Sequence, residues 1–394
     1  AALLNACLDR VTEVTDELKR LMAEFEKELA VLKGRVDGLE AKVGELEANQ
    51  FSTTTKLKGI ATMVLGGASE TGVGEEVTFN YDVRLNLDTS FTGKDLLRTT
   101  LRAGNFADSA FSSGNTALEV AFQEDPTAAG GVDTVGINRL FYQFPVGDAL
   151  TFTVGAKVRQ DDMLAMWPSA YPADTVLDLF TYAGARGAYS LNLGAGIGAW
   201  YQKDGFSLSV NFVSNEASSE DSTIGVGEDY TLTGQIGYSA NNWGAAFVYT
   251  YTDFANAGST YANSIGLSAY WTPSESSWIP SISAGFGYGD ASVAGIDLDG
   301  NLSWMVGLQW ADAFMKGNTL GMALGSAGAA FAGPSGVVGS GGIWFDGGEE
   351  TLAYELWYKF QVTDNISVTP AFFWVQNEGV DDTYGGLIKT TFKF

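Results

Sequence analysis

Beyond Gln50 the chain alternates, residue by residue, between apolar and polar side chains, and this period of two recurs in one segment after another. Val83, Leu85, Leu87, Thr89 and Phe91 interleave with Arg84, Asn86, Asp88 and Ser90; Leu150, Phe152, Val154, Ala156 and Val158 interleave with Thr151, Thr153, Gly155 and Lys157. Phe206, Leu208, Val210 and Phe212 alternate with Ser207, Ser209 and Asn211, and Leu302, Trp304, Val306, Leu308 and Trp310 with Ser303, Gly307 and Gln309. Successive side chains of a strand point to opposite faces, so each segment has one apolar and one polar face. The segments run about 9 to 13 residues, longer than an ordinary strand and long enough to cross a bilayer at a tilt.

Two architectures accept this pattern. A soluble sandwich buries the apolar face, whereas a membrane barrel turns it to lipid and encloses water with the polar one. The connections separate them. About sixteen segments are joined alternately by short turns (92–95, 147–148, 203–205, 241–242, 273–277, 316–318, 363–365) and by long Gly-rich acidic stretches near 66–76, 104–135, 160–187, 214–228, 253–260, 289–300, 326–350 and 377–383. Tight turns at one rim and long loops at the other belong to an up-and-down barrel. The expected fold class is therefore an all-β transmembrane barrel of about 16 antiparallel strands over residues 51–394, preceded by an N-terminal α-helical coiled coil over residues 1–50. With 49 glycines and 8 prolines the composition suits a large β structure. No run of 18 apolar residues predicts a helical span.

Residues 1–50 follow another period. Steps of four and three from Leu4 give Leu8, Val11, Thr15, Leu18, Met22, Phe25, Leu29, Leu32, Val36, Leu39, Val43 and Leu46, with only Thr15 breaking the series. A seam that keeps a 3.5-residue period this long predicts a left-handed coiled coil, because a solitary helix on a surface wants a wider stripe at 3.6. The rod would reach roughly 65–70 Å.

The chain closes on GGLIKTTFKF, with Ile388, Thr390, Phe392 and Phe394 on one face and Leu387, Lys389, Thr391 and Lys393 on the other. An even strand count puts both barrel ends at the short-turn rim, taken as periplasmic, with the aromatics outward in the interfacial girdle. Among bacterial barrels generally such a terminal strand is the assembly signal, here Phe392 and Phe394.

Several function classes are excluded. The net charge of −25 argues against nucleic acid as a partner. Histidine is absent, which removes Ser-His and Cys-His pairs and His-ligated zinc, and Cys7 is the single cysteine. No enzyme, cofactor or metal site is expected. Asp297–Asn301 has part of a calcium-loop pattern without its glutamate, and reads as an acidic turn. The pairs Glu75-Glu76, Asp161-Asp162, Glu349-Glu350 and Asp381-Asp382 read as solvated loop charges that divalent ions or lipopolysaccharide could meet. Residue 1 opens on a helix-like segment without a signal peptide's basic flank and apolar core, so a mature or trimmed chain is expected.

Sixteen strands enclose a space too wide for wall side chains to fill, so an aqueous channel is the default and whatever narrows it sets selectivity. The inward faces of strands two to five carry Arg84, Arg98, Arg102, Arg139, Lys157 and Arg159, expected as a basic band. The alternative is that these cations only balance acids such as Asp82 and Asp88. The third long loop, 160–187, brings Asp161, Asp162, Asp174 and Asp178 together with Trp167. It is expected to enter the lumen and oppose the arginines, as in sixteen-stranded general porins; the alternative is a surface loop. A basic wall facing acids predicts weak ion selectivity.

The run AALLNACLDRVTEVTDELKRLMAEFEKELAVLKGRVDGLEAKVGELEANQFSTTTKLKG, with the barrel after it, resembles the major outer-membrane porins of cyanobacteria. Those porins are similar in the barrel to carbohydrate-selective OprB porins, and some carry an iron-uptake label. The resemblance implies a homotrimer joined by the coiled coil, outer-membrane lipids and lipopolysaccharide as surroundings, and peptidoglycan as a partner through an upstream surface-layer-homology domain. Only that domain's last helix, Ala1 to about Val11, is read in this sequence. The leading function is a passive channel for inorganic ions and small polar solutes. The other is an envelope tether whose barrel is mainly an anchor. A siderophore receptor would want about 22 strands and a globular plug, and a phospholipase would want a Ser-His pair.

Overall fold

The computed structural model describes residues 2–49, 54–69, 77–107, 109, 111, 114–121, 134–172, 176–215, 229–254, 260–275, 278–293, 296–326, 351–377 and 381–394. Two compact units emerge, Ala1–Lys56 and Leu57–Phe394. The first is one helix, α1 (Ala2–Asn49). Leu18, Met22, Phe25, Leu29, Leu32, Val36 and Leu39 are 44–62% exposed along it, so these seven seam residues lie open on the helix. A single helix is what the chain shows, rather than a coiled coil, since a heptad seam closes only against other helices. Val43 and Leu46 belong to α1, but their side chains lie outside the described residues.

The second unit is built from β1 (Thr55–Ala68), β2 (Thr78–Thr89), β3 (Leu96–Gly104), β4 (Gly136–Val146), β5 (Leu150–Arg159), β6 (Leu193–Lys203), β7 (Phe206–Asn215) and β8 (Tyr230–Ser239). There follow β9 (Trp243–Phe254), β10 (Thr260–Trp271), β11 (Ser281–Val293), β12 (Ile296–Ala311), β13 (Thr319–Ser326), β14 (Leu352–Thr363), β15 (Ile366–Val375) and β16 (Thr383–Lys393). Each pairs with its sequence neighbours, and β1 pairs with β16 from Ile60↔Lys393 to Ala68↔Gly385, closing a 16-stranded antiparallel barrel. Closure leaves no strand edge, the one way a sheet can sit in hydrocarbon with all its backbone groups satisfied.

The alternation sorts the faces as the period of two requires. Phe206, Leu208 and Val210 are exposed outward, whereas Ser207, Ser209 and Asn211 are almost wholly buried inside. On β16, Ile388 and Phe394 face out and Leu387, Lys389 and Thr391 in; the Phe394 backbone exchanges hydrogen bonds with Gly59. Aromatic residues gather near the short turns, as in the stacked run Tyr142–Phe144–Phe152. Such a belt suits the membrane interface.

Two expectations change. The stretch 289–300 is largely strand, because β11 and β12 continue as a hairpin to Val293 and Ile296. The lumen is also far from an open pipe. The described residues of the second loop (105–107, 109, 111 and 114–121) and of the third (160–172 and 176–191) fold inside and build an apolar core against the wall. Phe106, Phe111, Leu118, Val120, Leu177, Leu179 and Phe180 pack with Val64, Ala353, Trp357, Phe373 and Leu387. Long loops can fill what wall side chains cannot reach.

Candidate functional site

The third loop lies along the inner wall like a strap, and small polar residues on that wall hold it. The Ala165 and Ala170 N–H groups donate to Ser209 Oγ (2.9 Å) on β7 and Ser283 Oγ (2.8 Å) on β11. Thr250 and Ser268 hydroxyls donate to the Ala188 and Ala183 carbonyls at 2.6 and 2.7 Å. Gln160 Nε2 reaches the Ala188 carbonyl (2.9 Å) and Thr233 Oγ1 (2.6 Å). At Gly285 a Cβ would collide with the Ala183 carbonyl, so the wall must be bare there. The far end is pinned on β14, where the fully buried Glu355 carboxyl accepts from the Tyr171 hydroxyl (2.6 Å) and the Leu177 N–H (2.7 Å).

Loops two and three are zipped together. Leu118 and Leu177 form an antiparallel bridge; Glu119 N–H donates to the Val176 carbonyl (3.1 Å) and Asp178 N–H to the Ala117 carbonyl (2.8 Å). The backbone pairing and the apolar core below it fix the polar residues that face the opposite side, where the arginines are.

Those arginines are paired in the folded chain. Arg84 Nε lies 2.7 Å from Asp82 and its Nη2 3.2 Å from Glu119. Arg102 shares Asp82 at 2.7 Å, and Arg98 pairs with Asp88 at 2.8 Å, an acid that Lys58 also reaches at 3.0 Å. Arg139 meets Asp162 and Arg159 meets Asp161, both at 2.6 Å. Asp161 and Asp162 sit on a single 3-10 turn, Gln160–Met163, directly after β5. They therefore pair with arginines of the adjoining wall rather than facing them across the lumen. Asp178 is held within loop three, accepting from the Tyr182 hydroxyl (2.7 Å) and the Thr181 hydroxyl. Asp174 lies outside the described residues.

Lys157 departs from the expected band. Between Gly155, opposite Gly196, and Val158, opposite Gly194, two residues of β5 stand against one of β6. This bulge sets Lys157 opposite Leu140, on the alternate face from the buried Arg139 and Phe141. It also turns Val158, expected outward, into a buried cluster with Phe141, Met163 and Val213. The extra residue shifts the alternation locally, at Lys157 and Val158.

Burial raises the affinity of the Glu119 carboxyl for a proton, but the Arg84 guanidinium, with Arg102 behind it, reverses this and holds Glu119 below the usual carboxylate range. Asp161 is likewise displaced upward by burial, and Arg159, Arg139 and a backbone hydrogen bond together bring it below the usual carboxylate range. Asp178 moves the other way: burial raises it, and the Tyr182 hydrogen bond and Arg186 only partly compensate.

A cavity of ≈ 200 Å³ opens among these groups, lined by Arg102, Glu119, Arg159, Asp161 and Asp178 and by Leu164, Met166, Trp167 and Leu191. Trp167 packs on Tyr189 with ring centroids 4.7 Å apart. The arrangement offers ionic groups beside an aromatic face. Glu119 was not among the residues expected from sequence: loop two also carries Asp108, Glu124, Asp125 and Asp133, and nothing local marks Glu119 out among them.

The sequence matches the carbohydrate-selective porin, OprB family, over residues 13–394. An uncharacterized protein of Nostoc sp. is 33% identical across the whole of this chain and 77% of its own length, and one of Synechocystis sp. is 29% identical across the whole chain and 81% of its own. Among solved structures, OprB of Pseudomonas putida superposes with a TM-score of 0.60 at 11% identity, covering 86% of this chain and 94% of that one. The anion-selective porin of Comamonas acidovorans gives 0.53 at 12% identity, covering 86% and 99%. At such identities these likenesses speak for the barrel fold alone. With the family match they make the chain a member of the carbohydrate-selective OprB porin family, a non-enzymatic diffusion channel of the outer membrane.

Proposed function

We propose that the channel conducts inorganic ions and small polar solutes, sugars among them, through an eccentric slot between the arginines of β2–β5 and loops two and three. The observation that carries this reading is the ≈ 200 Å³ cavity where the ionic network meets Trp167. Guanidinium and carboxylate groups can exchange hydrogen bonds with hydroxyls, and an aromatic face suits the C–H face of a sugar ring. Arg84, Arg98, Arg102, Arg139 and Arg159 are matched by Asp82, Asp88, Glu119, Asp161 and Asp162, which supports weak ion selectivity. Iron, the label some resembling porins carry, would share the same slot as a small hydrated or chelated ion.

Liposome swelling with a monosaccharide against an inert ion of similar size tests the sugar reading. Trp167→Ala should slow sugar entry several-fold while leaving ion conductance within about twofold of the parent. Equal loss of both would refute a sugar contact at Trp167.

A second reading concerns the helix. The exposed seam from Leu18 to Leu39 supports a homotrimeric periplasmic coiled coil, with both barrel ends on the periplasmic side and peptidoglycan reached through an upstream segment. Outer-membrane lipids and lipopolysaccharide would surround the barrel. Light scattering of the detergent-solubilised chain and of Leu29→Asp checks the seam, with the parent trimeric and the variant smaller.

A further inference from the structure

We infer that Glu119, on the second loop, is a selectivity-determining residue of the constriction, acting on permeating ions through its own charge. The inference rests on the reading of the slot as the conduction path, and goes beyond it by bringing a second loop into the throat.

Three observations place the carboxylate there. Glu119 lines the cavity shared by Arg102, Arg159 and Asp161, and its carboxylate accepts both terminal nitrogens of Arg84, at 3.3 and 3.2 Å. Its backbone is fixed by the bond to the Val176 carbonyl, and its neighbours Leu118 and Val120 are 3% and 5% exposed in the apolar core. A residue between two buried anchors has one way to point. Its side chain keeps 14% exposure, so it is in reach of solution rather than sealed off. Burial is also outweighed by Arg84 and Arg102, so the group is ionised at neutral pH.

The local charge balance makes this placement matter. Asp82 pairs with both Arg84 and Arg102, so two cations stand close together on that part of the wall. Glu119 adds a negative charge beside Arg84 from the lumen side. Replacing it with an isosteric neutral group would make this part of the lumen more positive beside the cavity, where a charge acts on ions at short range.

The test is the reversal potential of single channels in a salt gradient for the parent, Glu119→Gln, Glu119→Asp, and Glu119→Gln in an Arg84→Ser background. The expected result is an anion-to-cation permeability ratio raised roughly threefold in Glu119→Gln, with Glu119→Asp near the parent. The shift should persist in the Arg84→Ser background, which a residue that merely positions Arg84 would not produce. It should also shrink between 0.1 M and 1 M salt, as the screening length falls from about 10 to about 3 Å. An unchanged ratio in Glu119→Gln, with parental conductance and heat stability, overturns the inference. So does a shift that vanishes in the Arg84→Ser background. If the parent itself shows no steady conductance, the slot reading fails instead, and the two failures cannot be confused.

Discussion

The two sides of the lumen are made by the same strand geometry and do opposite things. On β2–β5 the inward positions bear Arg84, Arg98, Arg102 and Arg139 with Asp82 and Asp88, and their ionic groups meet acids brought in by loops two and three. From β6 to β11 the inward positions that touch loop three are small or uncharged, such as Gly198, Ser209, Thr233, Thr250, Gly266 and Ser283, and the loop lies flat on them. Charged groups repel an apolar loop because their desolvation is costly, whereas hydroxyls and bare glycine backbone accept it. Selectivity and occlusion are thereby assigned to different sectors of one barrel.

The largest expected effect comes from releasing the strap. Glu355→Ala removes the acceptor of Tyr171 and Leu177, a loss on the order of 2–3 kcal/mol for bonds to a buried carboxyl. Single-channel conductance should rise and the heat-unfolding temperature fall; unchanged conductance would mean the strap does not bound the path. Next, Arg102→Ser and Arg139→Ser should each leave an acid of the charged sector under-matched and move the reversal potential toward cation preference, by roughly two- to threefold in permeability ratio.

Acidification should act on the same sector. Because Glu119 and Asp161 are held below the usual carboxylate range, selectivity should stay level from neutral pH into mildly acidic solution. The stabilisation they give is present above their unfolded range and lost as pH falls through their lowered folded range, where protonation takes one carboxylate partner from Arg84 and one from Arg159. Anion preference should then appear. Asp178, raised by burial, should take up its proton earlier in the titration. The smallest effect is expected from Lys157→Ser. Its bulge sets it opposite Leu140, so reversal potential and conductance should not move, in contrast with Arg139→Ser.

Much of the barrel could be read from the chain. The run from Val83 to Phe91 and the alternation of Phe206, Leu208 and Val210 with Ser207 and Ser209 follow from the fixed period of a strand, which no tertiary contact alters. Glu119 could not be read, since one glutamate among the several acids of a long loop has no local signature. Lys157 was misread, because a bulge is invisible to a count of twos. The inward glycines and serines of β6–β11 were a signal of the strap that polarity alone did not reveal, small size being the property that mattered.

Sequence by itself decided that hydrocarbon-compatible faces alternate with polar ones, that strands number about sixteen, and that a helix with an apolar seam precedes them, since each of these is a property of neighbours a few residues apart. Only the folded chain decided which loops enter the lumen, which acid meets which arginine and where the period slips. Those depend on residues brought together from distant strands, as Arg84 and Glu119 or Tyr171 and Glu355 are, and no local pattern specifies such meetings.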